Sequence, residues 1–398
     1  MGIVSLKKVR NLSGKRVLVR VDFNVPLEGK RIVDDSRIRA SLPTIEYLLK
    51  KKATVILVTH IGRPGGKKVA ALSVAPVAKK LKELLELKEL KILTLETYIK
   101  NRSPKSEVRS PHVMLLENIR FYKGEEENDP AFAKQLASLA DIFVLDGFAV
   151  AHRDAASVSG VAKYLPAYAG LLLEKEIVGL DRVMKRPKKP LTLVLGGAKT
   201  ETKIPVMKHL LPKAEYVLIG GRILNTYLAA KGYRIGNAGV DEKYTKEVLR
   251  LCSSKKVIKP VDVVVGDTEG KNVRVLDVKK LEIRNLKLGI YDIGPATVRM
   301  YAAYIKKSQT LVWNGAMGYF EQPPYHHATL AIARLVASRS KGKAFGVIGG
   351  GETLQTMEMT GMSEYVDLIS TGGGAMLEYL AGAKLPGIAA LRKAKKSR

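Results

Sequence analysis

The residues with the clearest chemical potential lie in a short stretch near the carboxyl end. Gly349-Gly350-Gly351 follows the apolar run Ala344–Ile348 and leads into Glu352-Thr353; Gly372-Gly373-Gly374 follows Val366–Thr371 and leads into Ala375. Each reads as a buried strand, a turn without side chains, and a helix start. Glycines let backbone N–H groups approach an anion, and a helix N-terminus adds partial positive charge at that point. Two such turns at neighbouring strand ends would cradle a polyphosphate. One triple-glycine turn alone reads better as a tight turn with no ligand; the tandem, with an acid and a hydroxyl after the first turn that could hold a metal, points to phosphate. No GxxxxGK[ST] sequence occurs and neither glycine run continues as GxGxxG, so a nucleotide site here falls outside the P-loop and dinucleotide families.

A second group is cationic. Arg16–Val21 reads as a strand ending in Asp22-Phe23-Asn24, and Ala53–Val58 as one ending in Thr59-His60-Ile61-Gly62-Arg63. His112–Leu116 ends in Glu117-Asn118-Ile119-Arg120, and Asp141–Leu145 is followed by Asp146 through His152-Arg153. In a parallel sheet, ligands gather beyond the carboxyl ends of the strands. Arg37 stands at the mouth of a helix running from Asp34 to about Lys51, where the dipole disfavours a cation, which hints at an anion held nearby. Arg37, Arg63, Arg120 and Arg153 converging on one sheet edge, with His60, would bind a small, multiply charged anion. Each alone reads as a surface arginine, and Asp22 and Asn24 alone read as readily as a turn with local hydrogen bonds.

The second half repeats the rhythm. Leu191–Leu195 leads into Gly196-Gly197-Ala198-Lys199, and Lys199 and Lys203 share one face of a helix start, as phosphate ligands or as solvated lysines. Ala214–Ile219 ends in Gly220-Gly221, Val261–Gly266 is a further strand, and Thr310–Trp313 runs into a turn bearing Asn314 and Glu321.

These residues need a scaffold of alternating strands and helices. The expected fold class is α/β, with two Rossmann-like doubly wound parallel-sheet domains joined by a long helix and hinge. A chain of 398 residues is too long for one ordinary core. The expected boundaries are 1–170, a connecting helix at 171–185 followed by the loop Arg186–Pro190, and 186–384. Tyr98–Pro111 and the acidic Glu125–Asp129 read as loops, with a helix over Pro130–Ala140.

Composition bounds the partners. Apolar residues make up 46%, no stretch is long enough to cross a membrane, the start lacks a signal-peptide design, and the single Cys252 excludes an internal disulfide, so a cytoplasmic protein is expected. The formal charge of +30 fits a nucleic-acid partner, an acidic small substrate or a hot or acidic habitat. Basic residues are dispersed apart from the tail Arg392–Arg398, aromatic residues are few, and no nucleic-acid-binding pattern occurs, so nucleic acid is the minority reading.

Assembled, the motifs resemble those of phosphoglycerate kinases: VDFNVP at 21–26, DDSRI at 34–38, HIGRP at 60–64, LLENIRF at 115–121, AHR at 151–153, GGAK at 196–199, DIGP at 292–295, WNG at 313–315, GGGET at 349–353 and STGGGA at 370–375. They keep the family's order over essentially the whole chain, and the compact length resembles the archaeal branch. The resemblance implies reversible phosphoryl transfer between 1,3-bisphosphoglycerate with ADP and 3-phosphoglycerate with ATP. It puts Asp22, Asn24, Arg37, His60, Arg63, Arg120 and Arg153 on the triose. Gly196, Gly197, Lys199, Lys203, Gly220, Asn314, Glu321, Gly349, Gly350, Gly351, Glu352 and Thr353 fall on the nucleotide, with Glu321 accepting hydrogen bonds from the ribose hydroxyls. Mg2+ would arrive with the nucleotide and meet Glu352. Arg37, Lys199, Lys203 and the amides around Gly372 and Gly373 would stabilise the transferring group. The resemblance also implies closure of the two halves around the connecting helix, a monomer, and residues 385–398 returning to the first half.

Some positions depart from the family pattern. Glu352 replaces the usual Asp at the metal, Thr202 a common Asp beside Lys203, Ala149-Val150 the usual Gly-Thr, and Ala316 a proline. Three other readings stand beside this one: a related enzyme with a different acyl-phosphate acceptor, an inactive binding protein on the same fold, and a nucleic-acid-binding role. The first would alter the arginine set and the second would lose Arg37, Lys199 or Lys203; all are present.

Overall fold

The computed structural model describes residues 2–100 and 113–394. The chain divides into two compact units: one takes in the chain to Ile177 together with the segment from Lys384, and the other is Val178–Ala383.

The first unit is built on six strands in the order Lys91–Leu93, Val113–Leu116, Thr54–Val58, Arg16–Arg20, Ile142–Leu145 and Ala167–Ala169, all paired in parallel. Its central strands read as continuous apolar runs because helices cover both faces, and Thr54–Val58 is buried at every position. The helix Ser36–Lys50 turns Ile38, Ile45 and Leu48 into the core against Val17, Val19, Val55 and Leu57. The winding reverses at Arg16–Arg20, so the crevice for a ligand opens beyond its carboxyl end.

In the second unit the parallel order is Val257–Ile258, Tyr216–Ile219, Leu191–Leu195, Thr310–Asn314, Phe345–Gly349 and Leu368–Ser370. Numbered along the unit, this is 3-2-1-4-5-6, with the switch point between Leu191–Leu195 and Thr310–Asn314.

Several expected elements differ. The run expected as a strand from Val261 begins at Asp262 and lies outside the parallel sheet: Asp262–Gly266 pairs antiparallel with Arg274–Asp277 and with Gly289–Ile293. Parallel pairing needs a crossover long enough to return the chain, whereas a tight turn suffices for antiparallel strands. Here the turn is set by Asp267, whose Oδ1 accepts the N–H of Glu269 (3.1 Å) and of Lys271 (2.7 Å). Glu125, expected in an acidic loop, is buried in the one-turn helix Lys123–Glu126. The following helix is Pro130–Ala137, started by the Asp129 carboxylate accepting the Phe132 N–H at 2.7 Å. Residues 98–100 of the expected loop belong to the short helix Leu95–Lys100; residues 101–111 of it, and His112 of the next strand, lie outside the described residues.

The helix Leu171–Met184 begins in the first unit and ends in the second. Its first orphan N–H groups are met by side chains of the first unit. Thr44 Oγ1 accepts from Leu171 at 2.9 Å, and Asp146 Oδ1 accepts from Leu172 at 3.0 Å and Leu173 at 3.4 Å. Its far end packs on the second unit, where Tyr379 donates its hydroxyl to Asp181 at 2.7 Å and Arg182 stacks over Phe345. The segment from Lys384 forms the helix Pro386–Lys393, which lies against Ala156–Gly160 of the first unit, with the Gly387 N–H donating to the Ala151 carbonyl at 2.9 Å.

Asp146 is fully buried and its Oδ2 has no hydrogen-bond partner. Burial pushes the carboxyl up from 3.8 to about 7, against the opposing bonds from Thr44, Leu173 and Leu172. The folded state therefore binds a proton between pH ~4 and ~7 that the unfolded chain has released, and stability is lost as pH rises through that window. Asp146→Asn keeps an acceptor for the helix and removes the charge. Urea unfolding at pH 5 and pH 8 is expected to show wild type losing roughly 3 kcal/mol relative to Asp146→Asn across that range. A difference independent of pH would contradict this account.

Candidate functional site

At the strand ends of the first unit, polar side chains first tie the loops to one another. Asn24 Oδ1 accepts the Gly62 N–H at 2.9 Å, and Thr59 Oγ1 accepts the Phe23 N–H at 2.9 Å. Asn118 donates from Nδ2 to the carbonyls of Ile61 (2.8 Å) and Leu72 (2.9 Å) and accepts the Arg120 N–H on Oδ1 at 3.1 Å. Three loops are thereby held as one platform.

The charged groups sit on that platform. Arg37 donates to Asp22 Oδ2, so the anion that its helix-mouth position calls for includes the Asp22 carboxylate. Arg120 donates to the Gly62 carbonyl at 2.7 Å and pairs with Glu126 at 3.3 Å. His60 is buried, and its imidazolium is held well below the usual range, first by burial and then by Arg20, Arg120, Arg153 and Arg37. The fold thus gathers Asp22, Asn24, Arg37, His60, Arg120 and Arg153. Arg63, one residue past Gly62, is exposed and makes none of these contacts.

Sequence reading missed Arg20, Glu125 and Ser157. Arg20 is 1% exposed, donates from Nε to Ser157 Oγ at 2.8 Å, and contacts His60 Nδ1 at 3.2 Å. Ser157 in turn donates to the buried Glu125 carboxylate at 2.6 Å. The signal was a cation in a strand otherwise reading Val17-Leu18-Val19-Val21, since a charge buried on a parallel strand requires partners.

In the second unit the site forms at the switch point. Gly197 donates its N–H to the Ala316 carbonyl at 2.6 Å, Gly221 to the Met317 carbonyl at 2.7 Å, and Arg222 to the Gly197 carbonyl at 3.1 Å. Gly220 caps the helix Gly221–Ala230. Asn314 donates to the Gly349 carbonyl, Thr353 Oγ1 accepts the Gly315 N–H at 2.8 Å, and Glu352 Oε2 accepts the Ala316 N–H at 3.1 Å. Asn314 and Thr353 are buried wall residues, with their side chains committed to the turns.

The two triple-glycine turns lie side by side, because Phe345–Gly349 and Leu368–Ser370 pair in parallel with Gly349 opposite Ser370. Side chains added at Gly351, Gly373 or Gly374 would meet nothing within 4 Å, so these backbones face open space. Gly372 differs: it is buried and its N–H is taken by Ser370 Oγ at 3.2 Å, which leaves Gly373 as the freer amide of the pair expected to act together. Lys199 precedes the helix Thr200–Leu210 and is exposed. Lys203 is buried and its ammonium is pushed down, chiefly by burial and less by Lys199, while Glu352 opposes the shift. In place of the usual Asp, Thr202 turns its hydroxyl onto the Lys199 carbonyl at 3.0 Å.

A cavity of about 340 Å³ opens at this point, lined by Gly197, Arg222, Tyr291, Tyr319, Glu321 and Glu352. Among the described residues no group of three or more His, Cys, Asp or Glu side chains is arranged to hold a metal, and Glu352 is the acid beside Lys203. Mg2+ commonly binds through one or two carboxylates plus substrate phosphates. Glu352, the carboxylate beside Lys203 on the cavity wall, fits a metal carried in by a polyphosphate.

Gly197 has φ +85°, and a side chain there would lie 2.6 Å from Glu352 Oε2. Gly197→Ala is expected to cost about 1–2 kcal/mol in backbone strain and to displace the Glu352 carboxylate. Calorimetric titration with Mg-ADP should show affinity reduced at least ~tenfold, a loss of about 1.4 kcal/mol. Unchanged affinity would remove this turn and Glu352 from the site.

Comparison with known proteins shows the family over nearly the whole chain. The family model described as phosphoglycerate kinase matches residues 6–383. The chain is 44% identical over 405 residues to phosphoglycerate kinase of Moorella thermoacetica, covering 98% of this chain and 99% of that one. Identity with the protein of Thermomicrobium roseum is 43% over 395 residues, covering 97% and 99%. Among solved structures, phosphoglycerate kinase from Coxiella burnetii superposes with a TM-score of 0.88 at 36% identity, over 99% of this chain and 100% of that one. The protein from Pyrococcus horikoshii gives 0.84 at 32%, over 98% of each chain. The chain is a phosphotransferase and belongs to the phosphoglycerate kinase family.

Proposed function

We propose that this enzyme moves a phosphoryl group reversibly between 1,3-bisphosphoglycerate with ADP and 3-phosphoglycerate with ATP, as a cytosolic monomer working with Mg2+. The observation that carries the reading is the division of chemistry between the units. Arginines surround a neutral histidine on one sheet edge, while paired glycine turns and two lysines flank a cavity on the other.

Each residue type has a task in this reaction. The triose is a small polyanion, matched by Arg37, Arg63, Arg120 and Arg153 with His60 and Asn24. Asp22 holds Arg37 in place. The acceptor in ATP-consuming turnover is a carboxylate, already ionised at neutral pH, so no general base is needed. Catalysis then consists of alignment and charge stabilisation. Arg37, Lys199 and Lys203, with the Gly373 amide, supply positive charge around the transferring phosphoryl. Glu321 accepts hydrogen bonds from the ribose, and Gly350 and Gly351 take the phosphates. Glu352 would hold Mg2+ together with phosphate oxygens, and the metal would neutralise charge on the polyphosphate when bound. Because the ligands are assigned to different units, transfer requires the units to close on one another and exclude water.

The test is ATP consumption by the full chain with Mg2+ and 3-phosphoglycerate, beside Arg37→Ala and Lys199→Ala. Turnover that depends on the triose and falls on the order of 10²-fold or more in each variant is the expected result. Turnover unaffected by omitting 3-phosphoglycerate, or retained in both variants, would refute the assignment.

A further inference from the structure

We infer that Arg20 is a positioning residue which locks His60 in the neutral tautomer carrying its proton on Nε2, so that Nε2–H is the donor His60 offers a ligand. The inference rests on the triose-site reading for its functional consequence, but the lock itself follows from local geometry.

A guanidinium has five N–H donors, no acceptor, and stays protonated in proteins. Arg20 Nη2 lies 3.2 Å from His60 Nδ1. A proton on Nδ1 would set two donors head to head; an Nδ1 lone pair makes a hydrogen bond. Asp22 offers Nδ1 no competing acceptor. Its Oδ1 is 3.7 Å away, beyond hydrogen-bond range, and faces the Asn24 N–H, while its Oδ2 is held by Arg37.

Arg20 cannot easily turn aside. Its Nε donates to Ser157 Oγ at 2.8 Å, and its Nη1 donates to the carbonyls of Val21 and Val58. Ser157 accepts from Arg20 and donates its O–H to Glu125 Oε1 at 2.6 Å, while its backbone N–H donates to Glu125 Oε2 at 2.9 Å. Donor and acceptor roles are therefore fixed in sequence from Glu125 through Ser157 and Arg20 to His60. The charged groups around the imidazole are Arg20 from its strand, Asp22 from the loop after it, Arg37 from the helix Ser36–Lys50, Arg120 from the turn Ile119–Phe121, and Arg153. Four cations and burial oppose a second proton, so the ring stays neutral where an ordinary histidine titrates. His60 then works as a fixed donor and not as a pH-dependent charge.

The experiment is a long-range 1H–15N correlation spectrum of the 15N-labelled full chain from pH 5 to pH 8. The chain has six histidines, and the His60 signal is identified by its loss in His60→Gln. An Nε2–H tautomer with unprotonated Nδ1 throughout is expected; an Nδ1–H tautomer or an imidazolium at pH 7 would overturn the lock. Arg20→Gln should release mixed tautomers, and persistence of a pure Nε2–H form in that variant would overturn the role of Arg20. Ser157→Ala, which keeps Arg20 but frees its Nε, is the milder variant should Arg20→Gln not fold, and a partial release is expected there; an unaltered His60 signal would count against the relay. In steady-state assays with 3-phosphoglycerate, His60→Gln places an amide near Nε2 and His60→Asn places one near Nδ1. KM should rise at least ~tenfold more in His60→Asn than in His60→Gln, a gap of about 1.4 kcal/mol; the reverse order would overturn Nε2–H as the working donor. The lock seen in the spectrum, with KM unchanged in both His60 variants, would support the lock and refute the triose placement.

Discussion

A parallel sheet ends in peptide groups that no further strand can pair, and both sites in this protein are built on how those groups are satisfied. The side chains nearest the strand ends act on the protein before they act on any ligand. Asn24, Thr59 and Asn118 join three loops of the first unit, as Asn314, Glu352 and Thr353 join the turns of the second. Cations and open glycine amides are then presented from a platform that is already fixed. Rigidity of this kind lets fixed charges stabilise a reacting group without reorganising.

Burial divides the cations into two classes. Arg20 and Lys203 are enclosed and lose solvation, so each depends on a particular acid nearby: Glu125 for Arg20, Glu352 for Lys203. Lys199 and Arg63 are exposed and free to meet a ligand. The formal charge of +30 is what remains after 38 Asp and Glu are set against 68 Lys and Arg, so a buried pair such as Arg20 with Glu125 adds nothing to it, while exposed cations such as Lys199 and Arg63 contribute to the excess.

The parallel strands were legible because strands covered on both faces appear as unbroken apolar runs, and the glycine turns because no other residue type serves there. His60 and Arg120 were legible as polar residues past such runs, and Arg37 as a cation at a helix mouth. The antiparallel sheet around Asp262–Gly266 was hidden: its first strand looks like any buried strand, and only its partners reveal its direction. Glu125 was hidden because an acid in a charged segment looks solvated, whereas its burial depends on Arg20 and Ser157, far away in sequence. Gly372 and Gly373 are indistinguishable by residue type and differ in burial and in the Ser370 hydroxyl that takes the Gly372 N–H.

The helix Pro386–Lys393 belongs to the first unit although the whole second unit precedes it in the chain. Gly387 fits there because a side chain would strike Leu145 and Val158 at 2.9 Å, so this helix lies directly on the first unit's interior. During synthesis, the second unit can assemble from continuous chain as soon as it emerges, while the first waits with part of its apolar surface uncovered until its last helix is made. The half made first is thus the half completed last, which makes it the part of a nascent chain most dependent on protection from premature association.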